Sequence, residues 1–130
     1  MIQAEFNYLA ILVAAIAGIA VGFVWYAPPV FGKRWQKDTG VTPPGIQAQV
    51  IWAVCFLLVS FTLAYLYRHL GVSTLEGGFR WGSTLGATLV AASVAPNYAF
   101  ARKPWSLFLI EMGYVFVAIT VMGVILGVWR

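Results

Sequence analysis

Ionisable chemistry is what this chain is short of. Its 130 residues include four acidic side chains, eight Lys or Arg and one histidine, and charged residues make up 9% of the whole; a soluble domain carries about 25%. The one histidine, His69, falls at a predicted helix end beside Arg68, well away in sequence from the one cysteine, Cys55. Neither a Cys-His nucleophile pair nor a histidine metal cluster can be assembled within one chain from such a set. A single cysteine also leaves no intrachain disulfide. No Gly-Lys-Ser/Thr phosphate loop occurs, and the glycines recur instead at helix-packing intervals. The expectation is a protein that is not an enzyme and holds no metal or cofactor.

What the chain has instead is apolar surface: 62% of its residues are hydrophobic and its mean hydropathy is +0.86. The stretch from Trp105 to Trp129 carries one charged side chain, Glu111. At about 1.5 Å per residue it is long enough to cross a hydrocarbon core about 30 Å thick. Three further apolar stretches complete the expected fold, an all-α membrane protein with a four-helix transmembrane bundle in one domain over residues 1–130. The predicted spans are about 6–27, 46–68, 79–100 and 105–129. The N-terminus lacks the basic n-region of a cleaved signal peptide, so it is expected to be a retained first helix. The net charge of +4 sits in short links between spans, where anionic lipid headgroups rather than nucleic acid are the expected counter-charge.

Small residues mark the packing faces. Ala10, Ala14, Gly18 and Gly22 recur every fourth residue, as do Gly78, Gly82 and Gly86, and both stripes suit close backbone approach. On the last span Gly113, Thr120, Gly123 and Gly127 cluster opposite Glu111, so two faces need partners. One is expected to pack within the bundle and the other to meet a second copy or a different membrane subunit. Punctuation residues set the ends. Trp25 and Tyr26 mark an interface, and Pro28-Pro29 stop the first helix. Phe31 and Trp35, spaced i, i+4 with Lys33, Arg34 and Lys37 mostly away from them, predict a short turn lying among headgroups. Thr42 before Pro43-Pro44 predicts a helix start, Gly71 a helix end, and Ser73-x-x-Glu76 a capping box. The tight link at 71–73 predicts that the second and third helices are antiparallel neighbours, and Glu76 and Arg80 are spaced to pair. Pro96 removes a backbone donor and frees carbonyls around Val90 to Ala92.

Orientation follows from positive charge. Lys33, Arg34, Lys37, Arg102 and Lys103 lie on one side and are expected to meet lipid headgroups, against Arg68, Arg80 and Arg130 on the other. That asymmetry places both termini outside, away from the cytoplasm. The two links on the basic side also read alike, Ala27-Pro28 to Trp35 against Ala95-Pro96 to Trp105, each with Phe, two basic residues and Trp in order. This suggests two helical hairpins related by a pseudo-twofold axis along the membrane normal.

The pattern Trp25-Tyr26-x-Pro28-x-x-Phe31-Gly32-Lys33-x-Trp35, then Asn97-Tyr98-x-Phe100, Leu109-Ile110-Glu111-x-Gly113-Tyr114 and Met122-Gly123-x-Ile125-Leu126-Gly127, resembles the bacterial domain-of-unknown-function family 1761. The resemblance covers nearly the whole chain. It implies a small multi-pass membrane protein and brings no assigned activity. The acidic position before Gly-Tyr is often Asp in that family and is Glu111 here.

An ionisable residue inside a span is costly and is a functional-site candidate by default. Glu111 is expected to face the bundle interior as a hydrogen-bonded carboxyl, in a polar cluster with Asn97, Tyr114 and Tyr26. Two functions follow. The favoured one is a packing or accessory subunit, or an oligomeric scaffold, whose partners are lipid and other membrane chains. It rests on the glycine stripes, among them Gly18, Gly22, Gly82, Gly86, Gly123 and Gly127. The alternative is a small dimeric proton-coupled transporter using Glu111.

Overall fold

The computed structural model describes residues 6–40 and 45–129, and every element assigned among them is helical. In chain order these are α1 (Tyr8–Trp25), a π-helical turn (Pro28–Gly32), α2 (Lys33–Thr39) and α3 (Ile46–Leu70). Then comes a helical run made of α4 (Leu75–Leu85), a π-helical segment (Gly86–Ala92) and α5 (Ser93–Phe100), and finally α6 (Trp105–Val128). Three of these helices, α1, α3 and α6, are long and apolar enough to cross a membrane.

Local chemistry accounts for most of the boundaries. The Asn7 side-chain oxygen accepts from the Ala10 N–H at 3.0 Å and starts α1. After α1 the Gly32 N–H reaches five residues back to the Ala27 carbonyl at 3.1 Å, closing the wide turn that the two prolines open. A Cβ on Gly32 would collide with the Tyr26 carbonyl, so this turn closes only with glycine. Gly71 ends α3 in the left-handed conformation, φ 72°, as its sequence context predicts. The residue that caps α4 is Thr74 rather than Ser73: its hydroxyl oxygen accepts from the Gly77 N–H at 2.9 Å. Glu76 and Arg80 pair at 2.6 Å on an exposed face, an arrangement that adds little stability. The expected start at Thr42-Pro43-Pro44 lies outside the described residues, and α3 begins at Ile46 after Gly45.

Pro96 sits inside α5 and cannot donate to the carbonyl four residues before it, that of Ala92. The π-helical segment ends at that residue, and the Ser93 hydroxyl donates to the carbonyls of Leu89 and Val90. The Ser93 bonds lie one turn before Pro96, in the π-helical segment that precedes it.

The helices assemble around α6, which contacts every other helix of the described chain. α1 and the run from Leu75 to Phe100 lie antiparallel to it in a readable register, while α3 runs parallel to it. On one flank Trp25 meets Gly113, Gly22 meets Tyr114 and Gly18 meets Met122; on the other, Gly78 meets Gly123 and Gly127, and Gly86 meets Phe116. α1 is also antiparallel to α3, with Gly22 against Trp52, Gly18 against Phe56, and the Ser60 hydroxyl donating to the Ile11 carbonyl at 2.7 Å. The core is correspondingly centred on Ala14, Phe56, Tyr114, Ala118 and Met122. Large apolar side chains face outward along α1 and α3, among them Leu9, Ile16, Val50 and Leu58.

Three expectations need correcting. The run from Leu75 to Phe100 packs mainly on α6 rather than on α3, although the turn joining it to α3 is short. A tight turn fixes chain direction, while the glycine stripe decides which neighbour comes close. The two links on the basic side also differ in form: Pro28 opens a turn beyond the end of α1, whereas Pro96 lies within a helix. Shared residue types therefore do not give a shared local structure. Finally, Gly123 and Gly127 are spent inside the chain, against Gly78 and Gly82 of the run before α6. The face of α6 assigned to an outside partner is already covered, because periodicity identifies a packing face without naming its occupant.

This packing is testable at single atoms. A Cβ added at Gly78 would run into the Gly123 carbonyl, and one added at Gly123 into the Tyr67 hydroxyl and the Gly78 carbonyl. Backbone cannot step aside as a flexible side chain can, so Gly78→Ala and Gly123→Ala are each expected to destabilise by about 1–3 kcal/mol. Ala87→Leu, at an exposed position of the same run, is expected to stay within about 0.5 kcal/mol. Thermal unfolding in a mild detergent, followed by loss of helical circular dichroism, measures all three.

Candidate functional site

The site is built on one turn of α6, Ile110 to Tyr114, near the end of the molecule that carries both basic links. Glu111 is half-buried there. Its Oε2 accepts from the Trp35 indole N–H at 3.0 Å, and its Oε1 from the Tyr98 hydroxyl. α2 and α5 are therefore both tied to the same carboxyl. A carboxylate offers about four acceptor positions, so these two donors leave capacity unused.

The expected partner Asn97 is exposed, and the neighbouring Tyr98, which is buried, takes its place. On a helix adjacent residues point about 100° apart, so only one of the two can turn towards α6. Tyr114 and Tyr26 do lie beside Glu111, as walls of one pocket. The Tyr114 hydroxyl donates to the Gly18 carbonyl at 3.0 Å and accepts from the Trp52 indole at 3.0 Å. Tyr26 stands between two of these rings, with its centroid 5.4 Å from Tyr114 and 6.0 Å from Trp35.

The result is a cavity of about 490 Å³, open on one side and walled by the C-terminal part of α1, α2, the first turns of α3, and α6. Five of its eleven lining residues are aromatic, Phe23, Tyr26, Trp35, Trp52 and Tyr114; among the described residues Glu111 is its one acidic group, and Gln36 and Gln49 are its amides. The rings form a connected wall: Trp52 lies 5.5 Å from Phe23, tilted, and 6.1 Å from Tyr114, edge to face. Such contacts fall in the range of favourable aromatic pairing. Both glycines lining the cavity make room for it. Gly22 lets the Trp52 ring lie against the α1 backbone, and Gly32 lets the turn before α2 close.

The basic residues surround this end without lining the cavity. Lys33, Arg34, Lys37, Arg102 and Lys103 are all exposed, as residues bound for lipid headgroups need to be. Arg34 pairs with Asp38 at 3.4 Å, and Asp38 also accepts from the Ser106 hydroxyl at 2.7 Å. The Lys103 ammonium lies 5.2 Å from the centre of the Tyr98 ring. Among the described residues no Lys, Arg or His forms an ion pair with Glu111. The six packing glycines lie between helices, and two of them, Gly18 and Gly22, support the rings at the cavity floor.

Sequence reasoning found Glu111, Tyr26 and Tyr114 but not Trp35, Tyr98 or Trp52 as members of the site. The signal for Trp35 was its i, i+4 spacing with Phe31, which gives α2 an apolar face to turn inward; Phe31 packs on Trp25 at 4.9 Å. Tyr98 stood beside the polar residue chosen in its place. Trp52 gave no signal, because an aromatic near a helix start reads equally well as an interfacial anchor.

Among the described residues no three His, Cys, Asp or Glu side chains gather that could hold a metal ion. No curated protein and no solved structure matches the chain. A family model described as a protein of unknown function does match, over residues 9–127, which takes in all the walls of the cavity and the whole α6 register. The chain belongs to that family, DUF1761.

Proposed function

We propose that this protein spans a bacterial inner membrane four times and binds a small amphiphilic solute in the Glu111 cavity. The three long apolar helices supply three crossings. The run from Leu75 to Phe100 supplies the fourth. At about 1.5 Å per residue its 26 residues reach roughly 39 Å, and it is antiparallel to α6 along its length. Both termini lie outside, because the five basic residues at the cavity end belong on the cytoplasmic side. The cavity then opens near the inner interface, within reach of solutes in the cytoplasm or the inner leaflet.

The observation that carries the binding role is the cavity itself, about 490 Å³ walled by rings and one carboxyl without a cationic partner. Ligand sites have this form: a mainly apolar concavity of roughly 300–1,000 Å³ with a few polar groups to fix orientation. The same carboxyl suits a proton-coupled carrier, in which protonation of Glu111 and occupancy by solute alternate; the π-helical segment and Pro96 give the neighbouring run a place to bend. A purely accessory role has lost its main support, since the glycines that motivated it pack within the chain. Lipid acyl chains cover the outward apolar faces of α1 and α3. An oligomer would use those faces rather than the α6 glycines.

Two measurements test the proposal. Ala48 lines the cavity and is exposed, so Ala48→Trp is expected to fill the space without disturbing the core. Binding of a small aromatic probe such as phenyltrimethylammonium, read by tryptophan fluorescence in detergent, is expected to fall at least tenfold in that variant. Equal binding by the variant and the parent would place the ligand elsewhere. Topology is tested by labelling single cysteines in a Cys55→Ser background. Gln36→Cys is expected to be protected in intact cells and labelled in inverted vesicles, and Thr74→Cys the reverse. Labelling of position 36 from outside overturns the orientation.

A further inference from the structure

Resting on that reading of the cavity, we infer that its ligand carries an organic ammonium group, a primary or quaternary amine attached to an apolar body. Three features of the wall converge on this chemistry. The first is charge: among the described residues Glu111 is the one carboxyl of the lining, and no described Lys or Arg lines the cavity with it. A carboxyl that accepts from two neutral donors keeps acceptor positions for a cationic partner. Both of its present partners are neutral donors, an indole and a phenol, and neither is a cation.

The second feature is the set of ring faces. Trp35, Tyr26, Tyr114 and Trp52 stand around one space, with successive centroids 6.0, 5.4 and 6.1 Å apart. An ammonium within about 6 Å of such rings is attracted by their quadrupoles, most strongly by tryptophan, and a quaternary ammonium loses least on leaving water. The indole and phenol hydrogens are directed at Glu111 and at Tyr114, and the rings meet one another edge to face while lining the cavity. The third feature is size. A metal ion of the hard class wants six or more oxygen ligands close in, while this cavity of about 490 Å³ offers one carboxyl and two amides. It fits a molecule, with the apolar body of the ligand against Phe23 and Trp52 and its ammonium end at Glu111.

An anionic ligand is disfavoured by the same geometry, since the cations at this end are turned outward. Two sources share the ammonium chemistry: a free organic cation from the cytoplasm, and the ethanolamine headgroup of an inner-leaflet phospholipid.

The test is a paired titration of the purified full-length protein in a neutral maltoside detergent, read by tryptophan fluorescence. The probes are phenyltrimethylammonium and its uncharged isostere tert-butylbenzene. The cation is expected to bind saturably and at least tenfold tighter than the isostere. Glu111→Gln is expected to remove that preference by weakening the cation alone, and Glu111→Asp, which keeps the charge, to retain most of it. Helical circular dichroism and gel-filtration profile of the variants separate loss of the charge from loss of the fold. Equal affinity for the two probes, or a cation preference that survives Glu111→Gln in a folded variant, overturns the ammonium assignment while leaving a ligand cavity in place. Binding of neither probe overturns the cavity reading as well. Displacement of the cation by added phosphatidylethanolamine but not phosphatidylglycerol supports the assignment with the lipid as source; no displacement by either supports it with a free amine.

Discussion

The constraint on which the rest depends is the distance at which α6 lets its neighbours approach. In an apolar solvent, burying apolar side chains gives no advantage over lipid contact, so helices are held by dispersion at close range and by hydrogen bonds. Glycine is what makes the range close. Gly78, Gly82, Gly123 and Gly127 bring two backbones together without intervening side chains, and the Tyr67 hydroxyl then reaches across from α3 to donate to the Gly78 carbonyl at 2.9 Å. On the opposite flank Gly18 and Gly22 do the same for α1, but there the space is taken by large rings, Phe56, Trp52 and Tyr114. One flank of α6 is thus zipped by backbone and the other by aromatics. The cavity sits where the aromatic flank opens towards α2.

Much of this was legible because the governing rules are local. A run of apolar residues without charge needs no tertiary information to be assigned as a helix, and Gly71 needs only its place after Arg68-His69-Leu70 to be read as a helix end. The identity of neighbours was less legible. A stripe such as Gly78-Gly82-Gly86 says that something comes close, and both a second copy and α6 satisfy it. The site was half legible for the same reason. Glu111 stands out as a lone charge, but the donors that hold it come from Trp35 and Tyr98, 76 and 13 residues away. Choosing Asn97 over Tyr98 followed from polarity alone, whereas the rotation of α5 about its axis, set by packing beyond Pro96, decides which of the two faces inward.

The turn from Ile110 to Tyr114 gathers hydrogen bonds from separate parts of the chain. The Trp25 indole donates to the Ile110 carbonyl at 2.9 Å from the end of α1, and Trp35 and Tyr98 donate to Glu111 from α2 and α5. The Trp52 indole donates to Tyr114 from α3. Three of these four donors are indoles, which can donate and cannot accept. A network built from such donors has a fixed direction: every one points its hydrogen towards α6, and the acceptors there are a carbonyl, a carboxyl and a phenol oxygen.

That direction bears on function. If the carboxyl served only to fasten helices, an amide or hydroxyl would do so at lower desolvation cost, and a group able to carry charge would add nothing to the fold. Here its neutral donors use part of its acceptor capacity, and Glu111 also lines a cavity with five aromatic residues in its wall. A fastening residue is best covered on all sides, because an open flank weakens each hydrogen bond by competition with water. Glu111 is half-buried, fastened to α2 and α5 and at the same time part of the cavity lining. Under the proposed function, that makes it an anchor held by the fold and kept available to a ligand.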